Sequence, residues 1–243
     1  MSENGADAAV TSYRVDELGI ALIRLERPKA RNAINTQMLG ELLEHLAVAR
    51  GDEGVRVLVI SSADHMGLSA GADVREQLDA EAHVRRMQLF SDLYDTIVAF
   101  PKPTIAVCHG DVVGGGAEIS IACDMRIGGS NLRMRFPGAA LGMPVGPARL
   151  VTLCGLAAAK YLLLSSRTVG ADEALRLGLV NRVAPAAGTE TAALELAAEV
   201  SNHPPEAVAR LKVMLHEWDD VVGRSAAEGV GQVEHVRAGG FPE

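Results

Sequence analysis

Aromatic side chains make up only 3% of this 243-residue chain, and it has three cysteines. A core poor in rings must be built from Leu, Val and Ala. The 48% apolar content is enough for one large domain, or for a domain with a helical appendage. Cys108, Cys123 and Cys154 are odd in number, each sits among apolar residues and none belongs to a C-x-x-C pair. That pattern argues against disulfides and a structural zinc site and for buried thiols in a reducing compartment. Basic charge is also in deficit, with 23 Lys and Arg against 31 Asp and Glu and a net charge of -8. Nucleic acid and anionic membrane are therefore poor candidates for the principal partner. No run of 18 uninterrupted apolar residues occurs, and the leading MSENGADAAV lacks the basic-then-apolar order of a secretion signal. A soluble, cytoplasmic protein is the expectation. Also missing are a G-x-x-x-x-G-K-[ST] phosphate loop, a G-x-S-x-G nucleophile turn and an H-E-x-x-H pair.

The chain does have a regular alternation of element types. Residues 1–10 are polar and predicted to be a disordered tail. Thr11–Val15 and Ile20–Leu25 read as strands around the turn Asp16-Glu17-Leu18-Gly19. Thr36 is placed to cap a helix running to Ala49, with Leu39, Leu42, Leu43 and Leu46 on one face. Residues 55–60 form a buried strand, 80–100 a helix closed by Pro101 and Pro103, and Thr104–Cys108 another strand. A glycine turn, a helix from Glu118 and a short strand at 125–127 follow, giving successive strand-helix units of a layered α/β kind. Beyond Phe136 the pattern is helical: short helices at 148–154, 156–165 and 171–177, then longer ones at Thr189–Ser201 and Pro205–Asp219. Leu211, Met214, Leu215 and Trp218 read as packing residues. The expected division is a core over residues 11–185 and a helical C-terminal extension over 186–243, suited to packing on a neighbouring subunit.

Two glycine turns carry the chemistry. Gly114-Gly115-Gly116-Ala117-Glu118 precedes the apolar run 119–123, and Ser69-Ala70-Gly71-Ala72-Asp73 offers a similar turn upstream. Unpaired backbone N–H groups at such turns, with a helix dipole behind one of them, can stabilise a developing oxyanion. Ala72 and Gly115 are the best local candidates, because each follows a strand that can end at one crevice. Glu118 is the only acid in the apolar stretch after the glycines, and it can serve as a proton acceptor and donor or simply as an N-terminal capping acid. His109 reads as a loop histidine and Asp111 as a turn former, although both lie beside the same turn.

The chain resembles the crotonase, or enoyl-CoA hydratase/isomerase, superfamily over nearly its whole length. The matching pieces run in order. They are Arg27-Pro28 with Arg31-Asn32-Ala33-Ile34-Asn35, Ser69-Ala70-Gly71-Ala72-Asp73, and Pro103 through Gly110 followed by Gly114-Gly115-Gly116-Ala117-Glu118 and Cys123-Asp124. Ala171-Asp172-Glu173-Ala174 and Leu177-Gly178-Leu179-Val180-Asn181 complete the series. The resemblance implies a mixed α/β spiral of repeated ββα units with a helical C-terminal region, assembled as a homotrimer or a dimer of trimers. It implies Ala72 and Gly115 amides as oxyanion donors and Glu118 as the catalytic acid/base. The segments matching those that line CoA contain Lys29, Arg31, Ala33, Ala70, Ala72, Asp73 and Val74. The cationic Lys29 and Arg31 suit a phosphate-bearing ligand and equally a solvated surface. No permanently bound cofactor or metal is expected, CoA entering as part of a thioester substrate.

The departures from the family pattern narrow the chemistry. Where a standard hydratase has a second glutamate after a proline, this chain has Pro137-Gly138, and the loop from Gly142 to Leu150 is about three residues shorter than usual. The tail, ending at Phe241-Pro242-Glu243, carries less helical sequence than many members have. The expected function is an acyl-CoA enzyme of the hydratase/isomerase type that stabilises a thioester enolate, with Glu118 as its one clear acid/base. Isomerisation, thioester hydrolysis and decarboxylation remain alternatives that use the same oxyanion hole. A non-catalytic acyl-CoA-binding protein is the alternative from another class.

Overall fold

A computed structural model describes residues 8–240; the N-terminal disorder expected for residues 1–10 falls mostly outside that range. The chain opens with β1 (Thr11–Val15) and β2 (Ile20–Leu25), paired antiparallel across the turn that the Asp16 carboxylate ties through the amides of Leu18 and Ile20. Helix α1 (Thr36–Gly51) follows. Its N-cap is Asn35, whose side chain accepts from Met38 N at 3.0 Å, and Thr36 is the first helical residue. Asparagine is the better cap at this point because its carbonyl reaches the orphan amide three residues on.

Three successive units then repeat one path. Strand β3 (Val57–Ser62) leads to the short β4 (Gly67–Ser69) and helix α2 (Ala80–Val98). Strand β5 (Thr104–Cys108) leads to β6 (Asp111–Val113) and α3 (Gly115–Ala122). Strand β7 (Met125–Gly129) leads to β8 (Arg133–Arg135) and α4 (Pro147–Ser165). The first strand of each unit enters a six-stranded sheet and the second a four-stranded sheet, and the units advance by parallel pairing of β3 with β5 and β5 with β7. This is the ββα spiral. The six-stranded sheet is completed by β10 (Arg182–Ala184), the four-stranded one by β9 (Thr168–Gly170), with α5 (Ala171–Arg176) between them.

Central strands β3 and β5 are buried at every position, which is why they read as continuous apolar runs without alternation. One face of the large sheet packs against α1, α2 and α3 through Ile23, Leu42, Ile60 and Ile97; the other, with Val59, Ile105 and Val107, is covered by α6 (Thr189–Ser201). Helix α4 combines the two short helices expected from sequence, broken at Gly155 where φ is 74° and ψ 163°. It is long and apolar enough by composition to cross a membrane, but Gly155 interrupts its helical backbone.

The C-terminal part departs from expectation in one respect. On α7 (Pro205–Asp219), Leu211, Leu215 and Trp218 are exposed rather than packed into the chain's own core. A further helix, α8 (Val221–Arg237), completes the helical C-terminal region expected from the resemblance. It packs closely on α2, so that any side chain at Gly229 would run into Ser91. Gly229 is what permits that approach.

Candidate active site

The two glycine turns meet. The segment Ala70–Asp73 is laced to the loop after β2: Ala70 N donates to Arg31 O, Ile34 N to Gly71 O at 2.8 Å, and Asp73 N to Ile34 O at 2.9 Å. Backbone groups alternate sides along an extended segment, so these bonds leave the N–H of Ala72 on the edge away from Ile34. Gly71 has φ of +97°, and a Cβ there would lie 3.0 Å from Val113 O and 3.5 Å from Gly115 N. Only glycine combines that dihedral with so close an approach. Gly115 opens α3, so its N–H is one of the orphan donors at a helix start. Among the described residues, neither Ala72 N nor Gly115 N donates to a protein acceptor. Both line one cavity of about 300 Å³.

Glu118 enters the same cavity from the first turn of α3 and is 1% exposed. Its Oε2 accepts from Arg149 Nη2 at 2.9 Å, and Arg149 Nη2 also lies 2.8 Å from Glu228 Oε1. Arg149 Nη1 donates to Ser225 Oγ, which in turn donates to Asp95 Oδ1, and the guanidinium sits 4.9 Å from the centre of the Tyr94 ring. Glu228 reaches over from α8 to cap α4, accepting from Gly146 N and Ala148 N at 2.8 and 2.6 Å. Burial pushes the Glu118 carboxyl up to about 7; Arg149 pulls it down and the Glu228 charge pushes it up again. A carboxyl poised there can both take and return a proton at neutral pH.

The remaining walls are largely apolar, with Met87, Phe90, Phe136, Leu141 and Val145 among the lining residues. Gly138 lies on the cavity wall and is buried, and a Cβ on it would meet Met143 O at 2.5 Å and Val145 Cγ1 at 3.1 Å. The loop following the 3-10 turn Gly138–Leu141 thus packs into the space that a side chain at 138 would need.

The residues expected to line CoA separate into two groups. Ala70, Ala72 and Val74 line the Glu118 cavity, with Val74 exposed at its mouth. Lys29 lies in a second, shallow depression formed by residues 26–30, and Arg31 is exposed nearby. Asp73 and Ala33 line neither depression: both engage Arg27 Nη1, Asp73 through an ion pair of 2.9 Å and Ala33 through its carbonyl. Asp73 and Ala33 therefore hold the loop in shape. His109 lies outside the cavity, its Nε2 2.8 Å from Asp64 O, and Asp111 faces Arg133. Tyr94, Arg135, Arg149, Glu228 and Gln232 are polar residues at this site that sequence reasoning did not single out. Gly146, where a Cβ would meet Glu118 Oε1 at 2.6 Å, is the nearest thing to a sequence signal for them.

Two backbone N–H groups without a protein acceptor among the described residues thus line one cavity with a buried carboxyl whose pKa is raised toward neutrality. The family model described as enoyl-CoA hydratase/isomerase matches residues 16–227. A short-chain-enoyl-CoA hydratase of Clostridium acetobutylicum is 34% identical over 78% of this chain and 74% of its own. A 2,3-dehydroadipyl-CoA hydratase of Escherichia coli is 32% identical over 83% of this chain and 80% of its own. The crystal structure of an enoyl-CoA hydratase/isomerase from Xanthobacter autotrophicus superposes with a TM-score of 0.87 at 27% identity, covering 96% of this chain and 89% of that one. The chain belongs to the enoyl-CoA hydratase/isomerase family and is an acyl-CoA enzyme of the crotonase type.

Proposed function

We propose that the protein hydrates an α,β-unsaturated acyl-CoA, with Glu118 as its single acid/base and the amides of Ala72 and Gly115 as the oxyanion hole. The observation that carries this reading is the placement of one buried, near-neutral carboxyl in a cavity edged by two free backbone N–H groups. The Glu118 carboxylate accepts a proton from water as the water oxygen bonds to the β-carbon. The π electrons move toward the thioester, whose oxygen takes the charge against the two amides. Glu118 then returns the proton to the α-carbon, closing the balance at a 3-hydroxyacyl thioester. One carboxyl suffices for this sequence because the proton taken and the proton returned are the same one.

The single carboxyl in the cavity also supports a second reading, isomerisation, in which Glu118 moves a proton between the α- and γ-carbons. The two are separated by assaying crotonyl-CoA, a 3-enoyl-CoA and a malonyl-type CoA side by side. Hydration of crotonyl-CoA supports the first reading, turnover of the 3-enoyl-CoA alone supports the second, and tight binding without any turnover supports a non-catalytic acyl-CoA carrier. The CoA moiety is assigned to the strip from Val74 past Ala70 toward the exposed Arg31 and Lys29, whose cations suit its phosphates. A homotrimer or dimer of trimers is supported by exposed apolar residues on two helices, Leu156, Tyr161 and Leu164 on α4 and Leu211, Leu215 and Trp218 on α7. Sedimentation of the 25.5 kDa chain measures that assembly directly. Buried, protonated Cys108 and Cys123 suit the reducing cytoplasm.

A further inference from the structure

Gln232 lies on α8, far in sequence from the glycine turns, yet its side chain is 1% exposed and lines the cavity that contains Glu118. Its Nε2 donates to Glu228 Oε1 at 2.8 Å. Glu228 already accepts from Gly146 N, Ala148 N and Arg149, so it is a carboxylate acceptor and only the N–H end of the Gln232 amide fits against it. The orientation of the amide is thereby set, with Oε1 turned away from Glu228. That oxygen is buried and has no partner among the described residues. A buried acceptor left without a donor is costly, so its placement on a ligand cavity points to a ligand that brings one.

None of the other polar side chains that line the cavity, Glu118, Tyr94 and Arg135, bonds this oxygen. Glu118 spends Oε2 on Arg149, and Arg135 turns its Nε to Ser166 O at 2.7 Å. The wall at Gly138 has no side chain and is backed by Val145. We infer that Gln232 Oε1 accepts a hydrogen bond from an O–H group at the β-position of the acyl chain, the hydroxyl of a 3-hydroxyacyl thioester and the incoming water before it adds. An amide oxygen accepts a hydrogen bond without taking the proton, so Gln232 positions the oxygen while Glu118 handles its hydrogen. The protein then recognises a β-hydroxyl through α8, at a place its α3 and Gly138 walls do not provide.

This inference rests on the hydratase reading, and its test is a difference between two ligands. In a Glu118→Gln background, where turnover is stopped, the affinities of 3-hydroxybutyryl-CoA and butyryl-CoA are measured by calorimetry. The hydroxylated ligand should bind about fivefold tighter or more, the scale of one neutral hydrogen bond. Adding Gln232→Met should erase that preference while leaving butyryl-CoA affinity unchanged, which also shows the site to be folded. A preference that survives the substitution, or an equal loss for both ligands, overturns the role of Gln232. Should the Gln232→Met chain fail to fold, a structure of the Glu118→Gln protein with 3-hydroxybutyryl-CoA decides. The hydroxyl should lie about 2.6 to 3.2 Å from Gln232 Oε1, and a hydroxyl beyond hydrogen-bond reach overturns the proposal. Crotonyl-CoA turnover by the unaltered protein tests the hydratase reading separately. Turnover without hydroxyl preference removes Gln232 alone; hydroxyl preference without turnover removes the hydratase reading and keeps the contact.

Discussion

Arg149 and Glu118 form an ion pair of 2.9 Å in which each side chain is only 2% exposed, and the same guanidinium nitrogen is shared with Glu228. One cation serves two carboxylates, so Glu118 is oriented by Arg149 without being fully locked in its ionised form. Removing the cation would leave two buried acids facing one another. Arg149→Met should therefore destabilise the fold by about 3 to 5 kcal/mol, the usual cost of breaking a buried pair. Urea unfolding at pH 8 measures this, and a loss below about 1 kcal/mol would show the pair to be dispensable.

Glu118 carries the pH dependence. Its carboxyl titrates near 7 against an ordinary value of 4.5, burial being the main cause. Since the carboxylate is the form that takes the proton from water, kcat/KM for hydration should rise with pH to a plateau above about 7. The stability effect has the opposite sense. The folded chain holds this proton more tightly than the unfolded chain, so the group's contribution is full below 4.5 and is lost as pH rises through about 7. A kcat/KM profile flat from about pH 5.5 to 8.5 would contradict the assignment of the base.

Glu118→Gln keeps the volume and removes the proton. The expected outcome is a fall in kcat of about 10²-fold or more with KM little changed, since the thioester contacts are made by backbone amides. A variant that keeps its rate would transfer the role to another group.

The oxyanion hole can be tested against its own steric control. A Cβ at position 115 meets Phe90 Cε1 at 3.0 Å and Ile34 Cδ1 at 3.1 Å, a crowding shared by Gly115→Ala and Gly115→Pro. Only proline also deletes the N–H. The proline variant should lose about 10²- to 10³-fold more kcat than the alanine variant, provided circular dichroism shows both folded. Equal losses would leave the amide without a role.

Gly138→Glu restores in sequence the second glutamate of standard hydratases but not in space, because its Cβ would lie 2.5 Å from Met143 O. We expect a lower melting temperature and no gain in crotonyl-CoA hydration. A clear gain in rate would mean that the 138–145 loop yields and that this wall is adaptable.

Most of the scaffold was legible because its signals are local. Strands β3 and β5 announce themselves as apolar runs, α6 and α7 by helical spacing, and Glu118 by its place just after three glycines. The roles of Ala72 and Gly115 came from resemblance to a family; the structure adds the hydrogen bonds from Ile34 and Asp73 that aim the first amide and the helix start that frees the second. The second sheet was not legible. Strands β4, β6, β8 and β9 have three residues each, too few for a periodicity to show.

Helix α8 fell within the expected helical extension but was given no bounds of its own, since glycines at 223, 229 and 231 lower its intrinsic helix propensity. Its stability comes from packing on α2, where Gly229 fits beside Ser91. Packing of α8 on α2 and α4 brings Glu228 to Arg149, 79 residues away in the chain, and places Gln232 on the cavity of the glycine turns. The sequence by itself marked Ala72 and Gly115 as candidate amide donors and Glu118 as a candidate acid/base. What shares the cavity with that carboxyl, and therefore how it is held and what it faces, was decided by contacts between distant segments, which leave no periodic mark in either of the segments they join.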